Sequence, residues 1–154
     1  MSKLELKIPP LLLTVIFAVL MWLVSRISAG FQIPTQYRAS VLAALMLMGV
    51  FFFISSLLSF RRAKTTINPI KPDTCSALVT SGIYKRTRNP MYVGFLCCLT
   101  GWGLFLSNPY SLVFCAGFVM YLNHYQIRAE EKALENLFGM EYLDYKARVR
   151  RWLW

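Results

Sequence analysis

Two short segments of this 154-residue chain carry side chains that could hold a polar ligand or take part in a reaction. The first, YKRTRNPMYVG at positions 84–94, places three cations and two tyrosines at the start of an uncharged, mostly apolar run. The second is the pair Glu130 and Glu131, because ionised carboxylates accept several hydrogen bonds from hydroxyl or ammonium groups. The alternative for this pair is a solvated helix face, with the carboxylates paired to Arg128 and Lys132.

The elements that would position these residues are apolar helices. The chain is 56% hydrophobic and only 16% charged, which is too apolar for a soluble domain of this size. A helix of about 18 residues or more spans a hydrocarbon core at a rise of about 1.5 Å per residue. We therefore predict one all-α integral membrane domain over residues 1–154, with transmembrane helices at about 11–29, 39–60, 90–107 and 109–127.

The net charge of +10 is unevenly distributed along the chain. Of the 17 lysines and arginines, only Arg26 and Arg38 fall near one end of the predicted bundle, and the others lie towards the opposite end. The positive-inside rule then places both termini and the loop 61–88 in the cytoplasm. Anionic headgroups account for the charge, so membrane lipids are expected partners and nucleic acid is not. The single histidine, His124, forms no metal-ligand cluster, so no metal is expected.

The segments that flank the predicted spans have recognisable boundary residues. Asn89 and Asn108 each precede a proline and are predicted to cap the helices that follow. Helix four is expected to continue into the cytoplasm as residues 128–138, until Gly139 breaks it. An amphipathic helix over 141–152, rich in arginine and aromatic residues, is predicted to lie at the membrane interface with the terminal Trp-Leu-Trp.

Three segments together resemble the isoprenylcysteine carboxyl methyltransferase and phospholipid methyltransferase superfamily. They are LVTSGIYKRTRNPMYVG, GWG and EEKALENLFGMEYLDYKARV, which lie within residues 77–151. The resemblance implies an integral membrane enzyme that uses S-adenosylmethionine and releases S-adenosylhomocysteine. The acceptor would be a small lipophilic molecule at the cytoplasmic membrane surface. Asn89 stands where the prenylcysteine enzymes have histidine. Asparagine is a familiar bacterial variant at this position, so the resemblance implies a protein of the bacterial inner membrane.

The resemblance also implies roles for individual residues. Arg88 and Asn89 are the implied catalytic residues. Gln126 stands where the prenylcysteine enzymes place an arginine that handles the substrate carboxylate, and Arg128 is the other substrate candidate. The neutral Gln126 favours an acceptor other than a prenylcysteine carboxylate, such as a lipophilic amine. The implied cofactor-binding residues are Leu78, Val79, Tyr84, Asn89, Pro90, Tyr92, Gly101, Gly103, Glu130 and Glu131.

Other interpretations of these features remain open. Gly101 and Gly103 are also typical of close helix packing in membranes, and the tyrosines are also typical of interfacial anchors. Isoprenylcysteine-type carboxyl methylation is the alternative reaction. A non-enzymatic four-helix membrane protein and a nicotinamide-dependent membrane reductase are the alternative classes. Three of the predicted spans lack Asp, Glu, Lys and Arg, which argues against ion transport. The sequence identifies neither the acceptor nor the oligomeric state.

Overall fold

A computed structural model describes residues 8–63 and 77–153 of the chain. These residues form helices joined by turns, with no strand among them, so the all-α prediction is confirmed for this part of the chain. Residues 64–76 of the predicted cytoplasmic loop lie outside the described residues. The elements are α1 (Pro10–Ile27), α2 (Thr35–Arg62), a 3₁₀ turn (Gly82–Lys85), α3 (Pro90–Leu106), α4 (Pro109–Tyr121), a π segment (Leu122–Ile127), α5 (Arg128–Phe138) and α6 (Met140–Arg148).

Helices α1 and α2 are long and apolar enough to cross a membrane, and α3 is a shorter apolar helix. Many of their large apolar side chains lie on the outside, as Leu47 does with 71% of its surface exposed. Helix α3 ends at Leu106 and α4 begins at Pro109, so two residues join them. The arrangement with four spans stays a prediction.

Backbone contact between α2 and α3 fixes the start of α3. A Cβ atom on Gly49 would lie 2.9 Å from the carbonyl oxygen of Gly94, and one on Gly94 would lie 3.0 Å from that of Gly49. Small residues allow membrane helices to approach this closely. The first turn of α3, which carries Tyr92, is therefore held tightly against α2.

The two Asn-Pro segments differ in what their asparagines do. Asn108 caps α4, because its Oδ1 accepts a hydrogen bond from the Ser111 amide at 3.2 Å. Its Nδ2 also donates to Ser28 Oγ at 2.8 Å, which ties the α3–α4 turn to the end of α1. The predicted capping role of Asn89 is wrong, since its side chain makes no capping bond to α3. The Asn89 Nδ2 instead donates to the Arg151 carbonyl at 3.0 Å.

The C-terminal residues return to the start of α3. Helix α5 continues from α4 through the π segment and ends before Gly139, which adopts a φ of 53° and breaks the helix as predicted. After α6, residues 149–153 form a non-helical segment, which we call the C-terminal strap. The Arg88 amide donates to the Arg150 carbonyl at 3.0 Å, and Thr87 Oγ1 donates to the Arg151 carbonyl at 2.9 Å.

The predicted interfacial helix over 141–152 therefore needs correction. Helix α6 ends at Arg148, and Tyr142 and Tyr145 are buried in the protein rather than facing a membrane. Trp152 is only 5% exposed and donates from its indole nitrogen to Asn123 Oδ1 at 3.0 Å. The aromatic residues of this segment thus pack inwards, because their polar groups find partners within the protein. Trp154 lies outside the described residues.

Candidate functional site

A cavity of about 320 Å³ lies where α3, α5, α6 and the segment 77–89 meet the ends of α1 and α2. This volume falls within the range of small-molecule sites, about 300–1,000 Å³. Its lining is mostly apolar, with a few ionisable groups. The lining residues are Pro9, Pro10, Leu11, Phe53, Phe60, Ala77, Leu78, Val79, Tyr84, Arg88, Asn89, Met91, Tyr92, Phe95, Glu130, Glu131, Leu134, Tyr142 and Tyr145.

Glu130 accepts two hydrogen bonds on one carboxyl oxygen. The Tyr92 hydroxyl donates to Oε1, and Gln126 Nε2 donates to the same atom at 2.8 Å. The other oxygen, Oε2, has no hydrogen-bond partner among the described residues. Burial raises the pKa of the Glu130 carboxyl from 4.5 to about 7, against the opposite effect of the bonds from Tyr92 and Gln126. Near neutral pH, this carboxyl therefore exists in both protonation states.

The raised pKa of Glu130 predicts a pH dependence of stability. The folded protein holds the Glu130 proton up to about pH 7, whereas the unfolded chain releases it near pH 4.5. The contribution of this group to the free energy of unfolding is full below pH 4.5 and is lost as the pH rises to about 7. Glu130→Gln should therefore flatten the thermal stability profile between these values. Identical pH profiles for the variant and the wild type would contradict the raised pKa.

Glu131 joins two arginines from different parts of the chain. Arg88 Nη2 lies 2.8 Å from Glu131 Oε1, and Arg151 Nη2 lies 2.6 Å from Oε2. A second bond runs from Arg151 Nε to Oε1 at 3.0 Å. The hydrogen bonds to Glu131 raise the pKa of the Arg151 guanidinium further. The carboxylate is buried, so this network connects the C-terminal strap to the cavity wall.

The arrangement of both carboxylates overturns the solvated-face interpretation. Neither Glu130 nor Glu131 pairs with Arg128 or Lys132 within residues 8–63 and 77–153. Arg88 also donates from Nη1 to the Lys146 carbonyl at 3.0 Å. Its Nε is buried and has no hydrogen-bond partner among the described residues. An unpaired buried donor is costly, so this N–H group is a candidate ligand contact.

Tyr84 is held at both ends. Its hydroxyl lies 2.7 Å from Ser56 Oγ of α2, and its backbone carbonyl accepts from the Tyr145 hydroxyl at 2.7 Å. The Phe60 ring packs edge-on against the Tyr84 ring, with 5.5 Å between centroids. This segment of the cavity wall is therefore fixed to α2 on one side and α6 on the other.

Several residues of this site were not predicted from the sequence: Ser56, Phe53, Phe60, Tyr142, Tyr145 and Arg151. Tyr142 and Tyr145 are three residues apart, and that spacing on a helix could have indicated one shared face. Ser56 lies in an apolar helix, where a hydroxyl needs a partner. No local sequence pattern indicated Arg151, because its contact with Glu131 depends on the path of the C-terminal strap.

The structure brings most of the predicted site residues together, although their roles remain predictions. Gln126 does not line the cavity but touches it through Glu130. Pro90 is buried in the first turn of α3. The predicted residues that line the cavity are Leu78, Val79, Tyr84, Arg88, Asn89, Tyr92, Glu130 and Glu131.

Three predicted residues lie away from the cavity. A Cβ atom on Gly101 would come within 3.0 Å of the Leu45 side chain, and one on Gly103 within 2.8 Å of the Met21 side chain. Both glycines therefore serve close helix packing. Arg128 is exposed, with its Nη1 at 3.3 Å from His124 Nδ1. Among the described residues, no group of three or more His, Cys, Asp or Glu side chains is placed to hold a metal ion.

Comparison with known proteins gives consistent matches. The family model described as "PEMT: Phospholipid methyltransferase" matches residues 38–141. The chain is 38% identical over 79 residues to a protein-S-isoprenylcysteine O-methyltransferase of Saccharomyces cerevisiae, covering 51% of this chain and 33% of that protein. It is 30% identical over 105 residues to protein-S-isoprenylcysteine O-methyltransferase B of Arabidopsis thaliana, covering 68% of this chain and 53% of that protein.

A shorter relative matches along its whole length. An uncharacterized protein of Haemophilus influenzae is 43% identical over 63 residues, which is 41% of this chain and 100% of that protein. The chain spans about a third of the yeast methyltransferase and about half of the Arabidopsis one. No solved structure matches the chain significantly.

Proposed function

Because the chain belongs to the phospholipid methyltransferase family, we propose that it transfers a methyl group from S-adenosylmethionine to a lipophilic acceptor at the cytoplasmic membrane surface. The observation that carries the proposal is the cavity, in which Arg88, Glu130 and Glu131 face a mostly apolar lining. Such a lining suits a ligand that is partly apolar and partly charged. The exposed apolar surfaces of α1 and α2 support integral insertion in a membrane. The proposal includes four spans in a bacterial inner membrane, with both termini cytoplasmic.

The polar and apolar groups that line the cavity are complementary to those of S-adenosylmethionine. Glu130 Oε2 is a free acceptor for ribose hydroxyls or for the ammonium group. Arg88 Nε is a buried donor that suits the cofactor carboxylate. Leu78 and Val79 offer an apolar surface for the adenine. When bound, S-adenosylmethionine supplies a methyl group on a sulfonium centre, which needs neither a metal nor a covalent enzyme intermediate.

The protein would orient the methyl donor and the acceptor, exclude water from the cavity and accept a proton from the acceptor. The tyrosines Tyr84, Tyr142 and Tyr145 are buried around the cavity and keep solvent out. The bond network of Glu131 holds Arg88 and the strap in fixed positions, which supports alignment of donor and acceptor. Glu130, with a pKa of about 7, is suited to take up a proton that the acceptor releases at neutral pH.

Two classes of acceptor are consistent with a lipophilic substrate. Arg88 and Arg151 are both paired with Glu131, and Gln126 is neutral and donates to Glu130. A carboxylate acceptor would therefore meet no unpaired cation among the described lining residues, which favours an amine or another neutral group. The printed names of the yeast and Arabidopsis relatives favour the second candidate, carboxyl methylation of an isoprenylcysteine.

Binding of S-adenosylhomocysteine tests the proposed function. We expect the purified protein to bind it in calorimetry and not to bind reduced nicotinamide dinucleotides. Glu130→Ala and Tyr92→Ala should each weaken binding by more than about tenfold, or about 1.4 kcal/mol. Glu135→Ala is the matched control, because Glu135 lies on the same helix and pairs with Lys146 outside the cavity. Unchanged affinity in both folded cavity variants would overturn the site.

A methyl-transfer assay with labelled cofactor then separates the acceptor classes. A farnesylated cysteine and a lipid amine are compared with the wild type and with Gln126→Arg. Methylation of the amine by the wild type would support the first class. Strong wild-type methylation of the farnesylated cysteine would establish the second, and would require Arg88 or Arg151 to meet the carboxylate.

A further inference from the structure

A shallow groove runs from the end of α4 to the start of α5 and shares no lining residue with the cavity. It has a volume of about 620 Å³ and is lined by Gly117, Met120, Tyr121, Asn123, His124, Tyr125 and Arg128. Two aromatic contacts shape it, since the Tyr125 ring lies 4.9 Å from that of Tyr121 and 4.6 Å from that of His124. None of these residues has a role in the proposed methyl transfer.

Polar donors in this groove have spare hydrogen-bonding capacity. Arg128 is exposed, and no carboxylate pairs with it in the described part of the chain. The Tyr121 hydroxyl is buried and has no hydrogen-bond partner among the described residues. A guanidinium and a hydroxyl that line one groove suit an anionic group with several acceptor oxygens, such as a phosphate.

Apolar surface continues from these donors along α4. Gly117 and Met120 line the groove one turn earlier in the helix, and Met120 is 70% exposed. Val113, a further turn back, is 66% exposed. A ligand that fills the groove would thus be anionic at the Arg128 end and apolar towards the start of α4. A phospholipid of the cytoplasmic leaflet has this distribution of charge.

We propose that this groove binds the phosphate of an anionic phospholipid, with Arg128, His124 and Tyr121 around the headgroup and an acyl chain along α4. The proposal rests on the proposed membrane orientation and is independent of the methyl-transfer chemistry. Asn123 connects the groove to the site, because it accepts the indole N–H of Trp152 in the C-terminal strap. A lipid in the groove would therefore stabilise the strap that carries Arg151 to Glu131.

The test uses calorimetry on the purified chain in a neutral detergent. The probes are dioctanoyl phosphatidylglycerol, dioctanoyl phosphatidylcholine and inorganic phosphate. We expect phosphatidylglycerol to bind at least about tenfold more tightly than either of the others. Arg128→Gln and Tyr121→Phe should each weaken that binding. Arg148→Gln, which removes one exposed cation at the end of α6, is the control and should not.

Each result decides the proposal. Equal binding of the two lipids, or equal loss in Arg128→Gln and Arg148→Gln, would mean general surface charge and would overturn it. Inorganic phosphate binding as tightly as phosphatidylglycerol would overturn the lipid as the occupant. S-adenosylhomocysteine affinity of the wild type, measured on the same samples, tests the proposed function separately, so that either proposal can fail alone.

Discussion

Glu131→Ala is expected to lower the free energy of unfolding by about 3–5 kcal/mol, because it leaves two arginines without their shared carboxylate. The Arg88 and Glu131 side chains are only 9% and 8% exposed, so solvent screens their interaction weakly. Arg88 would keep one bond, from Nη1 to the Lys146 carbonyl. Thermal or denaturant unfolding in detergent measures the loss, and S-adenosylhomocysteine affinity should fall with it.

Glu135→Ala is the control for this change. Glu135 lies four residues further along the same helix and pairs with Lys146, and the two side chains are 32% and 37% exposed. Solvent-exposed ion pairs contribute about 0–1 kcal/mol. A loss for Glu131→Ala no larger than that for Glu135→Ala would show that the buried network does not stabilise the fold.

Trp152→Ala is expected to destabilise the protein by about 3–5 kcal/mol, as large-to-small changes of buried aromatic residues do. Trp152 packs in the main hydrophobic core together with Ile127 and Leu122 of the π segment. The change also removes the indole donor to Asn123. Because the neighbouring Arg151 reaches Glu131, a loosened strap should weaken cofactor binding as well as lower the unfolding temperature.

Leu153→Ala is the control for Trp152→Ala, because it truncates an exposed side chain of the same strap. Leu153 is the next residue and is 48% exposed, so its truncation should change stability by less than about 0.5 kcal/mol. Similar unfolding temperatures for Trp152→Ala and the wild type would mean that the strap is not anchored by Trp152. The expectation would also fail if both variants lost the same stability.

Local patterns allowed correct prediction of several elements. The Asn108 cap and the break at Gly139 depend on residues within one helical turn, so the chain itself contains the information. The carboxylates of the cavity and two of its tyrosines, Tyr84 and Tyr92, were predicted from segments whose combination resembles a known family. Their pairing was not predictable, since Arg88 and Glu131 are 43 residues apart in sequence.

The wrong predictions have one physical cause in common. Asn89 and Trp152 were interpreted from their immediate neighbours, as a helix cap and as an interfacial anchor. In the structure Asn89 bonds to the C-terminal strap, which crosses the start of α3, and Trp152 of that strap bonds to Asn123 of the π segment. A long-range bond of this kind overrides a local preference of about 1 kcal/mol. The spacing of Gly101 and Gly103 fits helix packing equally well, and contacts were needed to distinguish the two roles.

The π segment has a consequence for how such a protein can change during evolution. A π turn contains one residue more than an α turn, and each helical residue advances the side-chain direction by about 100°. The segment Leu122–Ile127 therefore rotates the direction of Glu130 and Glu131 relative to the apolar helix before it. One residue added to α4 would turn both carboxylates by about 100°, and one residue removed from the π turn would turn them back. The length of α4 can thus change during evolution while the direction of the two carboxylates is kept.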